Sequence, residues 1–405
     1  MELNRSYELE TSDIRRRDRR GSAADRKPVA ELRPIHRVAS NLHAAWDDLV
    51  ANASEPNVFL EPWFLEPGLQ YFCTDPDQHL FLLWAGEPGH SQLLGLLPIG
   101  QTNRFGRWRV THIQNWLHHN SFLGTPLVRQ GFEEKFWAAL LNYLDNVKWP
   151  GFLHINGLTI GGMLDKSMRK VCASQGRRCD LVAEEARALL KSDLEPEAYY
   201  SATVRSKKRK ELRRQANRLS ELGDVRFAQH DDDTSLDQWT NEFLALERNG
   251  WKGENGSALD CNPETRAFFA DVLKGAAAKG QLERHDVRLD GQPIAMLVNF
   301  LSSPGSFSFK TTFDEAYARF SPGVLLQHEN LNILKNPDIQ WMDSCAAEGH
   351  PMIDSLWSGR RFIGRFSLEL SGMARKATFR GVRLGEGIMA QIKGREAPTD
   401  GKGNT

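Results

Sequence analysis

The chain has 405 residues, with 52 acidic and 52 basic residues and 40% hydrophobic content. A net charge of zero argues against a dedicated nucleic-acid binder, which needs surplus cations to displace counterions from phosphates. The hydrophobic content is ample for a core, so a wholly disordered chain is excluded, and the length predicts two domains.

Both ends of the sequence are polar. Residues 1–30, with a basic run at 15–20, predict a disordered arm, and a tether to an anionic lipid or a partner is the alternative interpretation. Residues 387–405 predict a flexible tail.

Three features bear on the location of the protein. The sequence has no apolar run near the roughly 20 residues needed to span a bilayer. It also has no apolar segment behind its first basic residues, so no secretory signal is predicted.

The five cysteines are scattered without a Cys-x-x-Cys pair, which indicates a reducing cytoplasm and no metal site. The adjacent His118 and His119 have no third ligand close in sequence, so we predict no metal there either.

The first predicted domain, residues 31–195, alternates strands and helices. Apolar runs at 80–84 and 93–99 flank a turn rich in Gly, Pro and Ser and predict paired strands. Residues 132–144 carry apolar side chains at helical spacing and predict a helix. A strand at 152–155, a helix at 163–171 and a strand at 178–182 complete this half.

The second predicted domain, residues 196–386, repeats a similar order more clearly. Asp290-Gly291 is a strong hairpin signal between two strand-like runs. An antiparallel meander therefore passes into a β-α-β unit, and the fold class is α+β. The predicted helices cover 204–222, 236–247, 263–278 and 323–334, and the predicted strands cover 224–227, 282–289, 293–301, 306–312 and 339–342.

The most informative local stretch joins a predicted strand to the helix at 323–334. Ser321 is a plausible N-cap, and Pro322 costs no hydrogen bond in a first turn. Free amides and the helix dipole at this corner would attract an anion, Gly323 would allow close approach, and Arg319 would add a charged clamp. An ordinary capped helix start is the alternative interpretation.

This corner, together with the stretch before it, resembles the CelD/BcsL family of GNAT-superfamily acetyltransferases. The preceding stretch, residues 309–318, reads Phe-Lys-Thr-Thr-Phe-Asp-Glu-Ala-Tyr-Ala. The family is linked to cellulose and exopolysaccharide production. The resemblance covers about residues 35–370. It implies two tandem GNAT-like domains, as in the related FemABX aminoacyl transferases, each a mixed, mostly antiparallel sheet flanked by helices. Further similar motifs lie at 206–214, 243–253 and 288–295, with weaker ones at 58–65 and 124–128.

The resemblance also implies a donor, acetyl-CoA or another acyl-CoA. Its pyrophosphate would rest on the loop formed by Arg319, Ser321, Gly323 and Val324. The usual GNAT loop reads Arg/Gln-x-x-Gly-x-Gly/Ala; Arg319 matches this pattern, whereas Pro322 and Val324 replace its small residues.

Three residues are candidates for catalysis. Lys310 interrupts an otherwise apolar strand, where it would stabilise negative charge or hold an anionic acceptor, or would simply face solvent. Asp343 ends the strand at 339–342, where relatives carry an Asp-x-Gly turn. His350 follows in a loop and has the pKa range of a general base, although an exposed loop histidine is the alternative.

Four further residues are candidates for contacts with the acceptor. Trp251 would offer an aromatic face to a sugar or acyl group and Lys252 a cation, or the pair would close a helix end. Asp314 and Tyr317 would order the loop above the site. The acceptor is expected to be an amine or hydroxyl of a saccharide or polysaccharide precursor, by resemblance alone.

Two other functions stay open. The basic helix at 207–214 would suit an RNA acceptor stem, a lipid-linked phosphate or the CoA 3′-phosphate, unless it is only solvated. A FemABX-like transfer from charged tRNA is therefore one alternative. A non-catalytic GNAT-like scaffold in exopolysaccharide synthesis is the other.

Overall fold

The computed structural model describes residues 27–35, 42–147 and 149–396. Most of the predicted arm and the end of the predicted tail lie outside these residues. Two predicted boundaries are corrected: strand β1 (Val29–Pro34) begins inside the predicted arm, and helix α12 (Met373–Glu396) continues into the predicted tail.

The first half contains, after β1, a series of short elements. In chain order these are α1 (His43–Ala51), a 3₁₀ turn (Val58–Leu60), α2 (Pro62–Phe72), β2 (His79–Trp84), β3 (Leu93–Thr102), β4 (His112–Asn115), β5 (Leu127–Val128), α3 (Glu133–Asn146), β6 (Leu153–Thr159), α4 (Met163–Ser174) and β7 (Cys179–Leu190).

The second half starts with two helices and then forms the predicted meander. Its elements are α5 (Pro196–Thr203), α6 (Ser206–Ser220), β8 (Val225–His230), α7 (Leu236–Arg248), α8 (Trp251–Glu254), a 3₁₀ turn (Leu259–Cys261), α9 (Pro263–Ala278), β9 (Leu282–Leu289), β10 (Gln292–Ser302), β11 (Gly305–Phe313), a 3₁₀ helix (Glu315–Phe320), α10 (Pro322–Glu329), a 3₁₀ helix (Asn330–Lys335), β12 (Trp341–Asp343), α11 (Pro351–Asp354), β13 (Gly359–Leu368) and α12.

Local sequence explains the hairpin between β9 and β10. Asp290 and Gly291 have φ values of 49° and 81°, the left-handed conformation that a tight two-residue hairpin turn requires. Aspartate tolerates this region better than most residues, and glycine adopts it freely. The hairpin predicted from Asp290-Gly291 is confirmed.

All strands of the described residues join in one mixed sheet. The order is β1-β2-β3-β4-β6-β13-β7-β12-β11-β10-β9-β8, with β5 paired to β3. The pairs β4/β6 and β11/β12 are parallel, and the other pairs are antiparallel. The predicted α+β class with a mostly antiparallel sheet flanked by helices is confirmed.

The two halves exchange strands at the centre of this sheet. Strand β13, from the second half, pairs with β6 and β7 of the first half. Strand β7, from the first half, pairs with β12 of the second. The division at residues 195/196 stays a prediction, and strand exchange across it is a feature that the sequence analysis missed.

A shared core also joins the halves. Phe59 and Phe64 of the first half pack edge-to-face on Phe307 and Phe309 of the second, with ring centroids 5.4 to 5.7 Å apart. Such pairs add to the stabilisation from burial itself. Within the described residues, no helix combines the length and apolar character needed to cross a membrane.

Candidate functional site

The parallel strands β11 and β12 diverge to form a fork. They pair only from Gly305 to Phe307 on β11, opposite Trp341 to Asp343 on β12. Strand β12 ends there, whereas β11 continues to Phe313 alongside β10. We call the opening between residues 308–313 and the loop 344–350 the fork.

Two backbone amides of β11 face this fork. The N–H of Asp314 donates to Ile294 O of β10 at 2.9 Å. Because successive residues of a strand point their N–H groups to opposite sides, the N–H groups of Phe313 and Thr311 point away from β10. The ammonium of Lys252 donates to Thr311 O at 3.4 Å from that same side. The fork therefore has two N–H donors on its open strand edge, an arrangement that can stabilise an oxyanion.

Lys310 lies beside these amides, half-buried against aromatic rings. Its Nζ is 5.2 Å from the ring centroid of Phe309 and 5.7 Å from that of Phe122. Burial lowers the pKa of Lys310 to about 8; the charge of Glu247 opposes this shift and that of Lys252 adds to it. Within the described residues its ammonium forms no ion pair, so it is available to a substrate.

The short helix α8 places Trp251 and Lys252 at the rim of the fork. Lys252 Nζ pairs with Glu247 Oε1 at 2.8 Å, and the other oxygen of this buried carboxylate accepts the Leu259 N–H at 2.8 Å. Trp251 is 53% exposed, and its N–H donates to Glu315 Oε1 at 2.7 Å. The exposed indole suits the predicted acceptor contact, while Lys252 is held by Glu247.

The space beneath α8 is small. A cavity of about 30 Å³, lined by Trp251, Lys252 and Thr311 among others, is close to the volume of one water molecule. A group much larger than a water molecule does not fit this cavity.

His350 and Cys345 lie on the loop that follows β12. The Nδ1 atom of His350 is buried and has no hydrogen-bond partner among the described residues. Burial lowers the pKa of His350, the Lys252 charge adds to this and Asp354 opposes it. Burial raises the pKa of Cys345 well above its usual range, so this residue is a buried thiol and not a nucleophile.

Asp343 lies in a buried network, and the catalytic role predicted for it stays a prediction. Its side chain is fully buried, and both carboxylate oxygens are occupied. Oδ1 accepts the N–H of Cys345 at 2.9 Å, and Oδ2 accepts from Arg361 of β13 at 3.1 Å. Arg361 also donates to Thr159 of β6 at 2.8 Å. Asp343 therefore anchors the exchanged strand at the base of the fork.

At the predicted phosphate corner, the structure corrects the expected N-cap of Ser321. The Ser321 side chain makes no capping hydrogen bond, and the residue itself adopts a left-handed φ of 54°. Its N–H donates to Ala318 O, and the Val324 N–H donates back to Ser321 O, each at 2.9 Å. These two amides are therefore not free for a diphosphate, and Arg319 lies over the Phe320 ring at 4.7 Å.

Gly323 is enclosed by side chains. A Cβ at this position would lie 2.8 Å from Met352 Cε of α11 and 3.3 Å from Phe313 Cδ1. Side chains of α11 and β11 therefore close on Gly323, and the binding of a pyrophosphate at this loop stays a prediction.

The other predicted loop residues have local roles. Asp314 Oδ1 accepts the Ala316 N–H at 2.9 Å and caps the 3₁₀ helix before α10. Tyr317 is partly buried and packs against the core. The roles of both residues above the site, including contact with a substrate, stay predictions.

The corresponding fork of the first half, between β4 and β6, is filled by the chain itself. The Gly124 N–H donates to Gly157 O at 2.8 Å. Asn115 Nδ2 donates to Gly124 O at 3.2 Å and to Asn156 O at 2.9 Å. Of the two forks, that of the second half is therefore the better candidate.

Several residues of the site were missed by the sequence analysis. Thr311 lies within the similar stretch at 309–318 but was not singled out, and Met352 lies in no motif, because the places of both residues depend on strand pairing and tertiary packing. Glu247 had a weak signal, a carboxylate at the end of the apolar face of a predicted helix.

Comparison with known proteins supports a GNAT assignment for the second half. Residues 206–362 match the family described as an acetyltransferase (GNAT) domain. No curated protein matches the chain in sequence. The CelD/BcsL family stays a prediction.

Solved structures share the overall fold at low sequence identity. FemX has a TM-score of 0.55 and 10% identity, covering 85% of this chain and 98% of that chain. A conserved protein of unknown function from Bacteroides thetaiotaomicron has a TM-score of 0.51 and 11% identity, covering 81% and 97%. The C-terminal domain of a putative lysylphosphatidylglycerol synthetase from Agrobacterium fabrum has a TM-score of 0.50 and 12% identity, covering 85% and 97%. At these identities the likeness shows the fold alone.

Proposed function

We propose that the protein is a cytoplasmic acyltransferase that uses acyl-CoA, with acetyl-CoA as the expected donor, at the fork of β11. The acceptor is an amine or hydroxyl of a saccharide or polysaccharide precursor. The observation that carries the proposal is the pair of amides, Thr311 and Phe313, on the strand edge that β12 leaves uncovered. The acceptor class rests on the sequence resemblance.

The fork residues can be given roles in a direct transfer. The acceptor nitrogen or oxygen attacks the donor carbonyl, and the edge amides stabilise the oxyanion that forms. Lys310, when neutral, takes the proton of the acceptor because its pKa is close to the working pH. The carbon–sulfur bond then breaks, and CoA leaves as a thiolate that needs little acid assistance.

The pH dependence distinguishes Lys310 from His350 as the base. If Lys310 is the base, kcat/KM for acetyl transfer rises with pH and reaches half its maximum near pH 8, since only the neutral amine accepts a proton. If His350 were the base, the midpoint of the rise would lie below pH 6.5, because burial lowers the pKa of His350. Release of free CoA thiol at an acceptor concentration well below KM, followed from pH 5.5 to pH 9.5, separates the two.

Aminoacyl transfer from charged tRNA is the second candidate. Two observations favour this candidate. The amides of Ser321 and Val324 are already hydrogen-bonded, and Met352 packs on Gly323, so the corner offers a diphosphate few free donors. Calorimetry with acetyl-CoA and filter binding with aminoacyl-tRNA separate the two donors. Binding of acetyl-CoA supports the first candidate, salt-dependent binding of tRNA without acetyl-CoA supports the second, and binding of neither supports a scaffold.

A further inference from the structure

A second cavity, of about 520 Å³, lies between α5, α6 and α10. It is distinct from the fork, since none of its lining residues belongs to residues 308–313 or 344–350. Its volume is within the usual range for small-molecule sites.

One wall of this cavity is basic. Arg209, Lys210 and Arg213 line it from neighbouring turns of α6. Within the described residues none of the three forms an ion pair, whereas Arg214 on the same helix is bonded to Glu211 at 2.9 Å. Two carboxylates, Glu197 and Glu329, also line the cavity, so cations outnumber acids there.

The remaining walls carry flat rings. The ring centroids of Tyr200 and His328 are 4.1 Å apart, and Phe227 from β8 is 43% exposed. Both Tyr200 and Phe227 line the cavity beside the cations. Phe227 is the exposed ring of the two, whereas Tyr200 is 9% exposed and forms the floor beside it. An exposed aromatic ring next to cationic side chains is a surface on which nucleobases stack.

The charge pattern of α6 adds a separate argument. The helix begins at Ser206 with no side-chain cap and no acidic residue in its first turn. Lys207 and Lys208 occupy that turn, where the positive end of the helix dipole disfavours cations. Ser206 also lines the cavity, so a bound anion would offset this local repulsion.

We propose that the cavity between α5, α6 and α10 binds a nucleotide unit. Its phosphate contacts Arg209, Lys210 and Arg213, and its base packs against Phe227 and Tyr200. The unit is supplied either by the adenosine end of coenzyme A or by a nucleotide of RNA. This inference rests on the proposed function, whose two candidate donors would supply the nucleotide unit. Because binding is measured without turnover, failure of this site and failure of acyl transfer are told apart.

The test compares two probes on three forms of the full chain. Adenosine 3′,5′-bisphosphate and a single-stranded oligoribonucleotide are titrated by calorimetry into wild type, an Arg209→Gln/Arg213→Gln variant and an Arg214→Gln control. Losing two charge-assisted contacts is expected to weaken binding by tenfold or more, whereas the control, whose guanidinium is held by Glu211, stays within about twofold of wild type. The three side chains are solvent-accessible, and equal melting temperatures verify that the variants fold.

The outcomes decide both the site and its source. Tighter binding of the bisphosphate indicates coenzyme A as the ligand, and tighter binding of the oligoribonucleotide indicates RNA. Either result supports the site, provided that the double variant no longer binds that probe. A Phe227→Ser variant should weaken the bisphosphate but not inorganic phosphate. The proposal is overturned if neither probe binds, if the double variant binds like the control, or if inorganic phosphate binds as tightly as the bisphosphate.

Discussion

Replacing Lys310 by methionine is expected to lower acyl transfer by about 100-fold or more, the usual loss when a general base is removed. The substitution keeps the length and apolar contacts of the side chain against Phe122 and Phe309. Release of CoA thiol measures the effect. The matched control is Lys274→Met on α9. The ammonium of Lys274 is 3.0 Å from Asp237 Oδ1, and its side chain is more exposed than that of Lys310.

The same substitution is expected to make the protein more stable. Burial lowers the pKa of Lys310 from 10.5 to about 8, so the folded state is penalised at pH 7, where the lysine is charged. Each pKa unit corresponds to about 1.4 kcal/mol, and partial exposure reduces the effect, so Lys310→Met should raise the free energy of unfolding by about 1–3 kcal/mol at pH 7.

The pH dependence of stability has a definite sign. Between about pH 8 and pH 10.5 the unfolded wild type binds more protons at Lys310 than the folded state does. Its stability therefore rises with pH across this window, and the advantage of the methionine variant shrinks. A variant that keeps full activity, or that loses activity and stability together, would contradict the role given to Lys310.

Replacing Asp343 by alanine is expected to destabilise the protein by about 3–5 kcal/mol, because it leaves a buried guanidinium without its partner. Arg361 is 8% exposed and donates to Asp343 Oδ2 at 3.1 Å. The Cys345 N–H would lose its acceptor as well. Urea unfolding of purified variants gives the free-energy change.

The control for Asp343 is Asp237→Ala, which removes an exposed ion pair with Lys274 and should change stability by less than about 1 kcal/mol. A double variant, Asp343→Leu with Arg361→Met, should recover much of the loss, since it removes both buried charges. If Asp343→Ala instead unfolded like wild type but had lost acyl transfer, the carboxylate would be catalytic after all.

Local signals predicted the individual elements of the second half well. Helix α9 has the predicted bounds 263–278, because Pro263 begins it after Asn262, whose side chain accepts from the Glu264 N–H at 2.8 Å. Strand β9 likewise has its predicted bounds, ending at the Asp290-Gly291 turn. Lys310 was singled out because a lysine in an aromatic strand is unusual, and it does lie in the fork.

Non-local packing explains what the sequence could not supply. Strand β13 inserts between β6 and β7, whose residues precede it by more than a hundred positions, and no periodicity encodes such pairing. The corner at Ser321 had the sequence of an open helix start. The N–H groups of Ser321 and Val324 instead donate to carbonyl oxygens of the same corner, and Met352 from a later helix packs against Gly323. The buried ion pair of Asp343 could not be predicted either, because its partner, Arg361, lies on β13 and approaches only through the strand pairing.

The most direct test of the acyl-transfer site observes the backbone amides of the fork themselves. In a transverse-relaxation-optimised spectrum of deuterated, ¹⁵N-labelled protein, saturating acetyl-CoA is expected to shift the resonances of Thr311 and Phe313 more than those of Gly124 and Gly157 in the filled first-half fork. Ligand binding that leaves the Thr311 and Phe313 resonances in place, or that moves the first-half pair instead, would contradict this assignment.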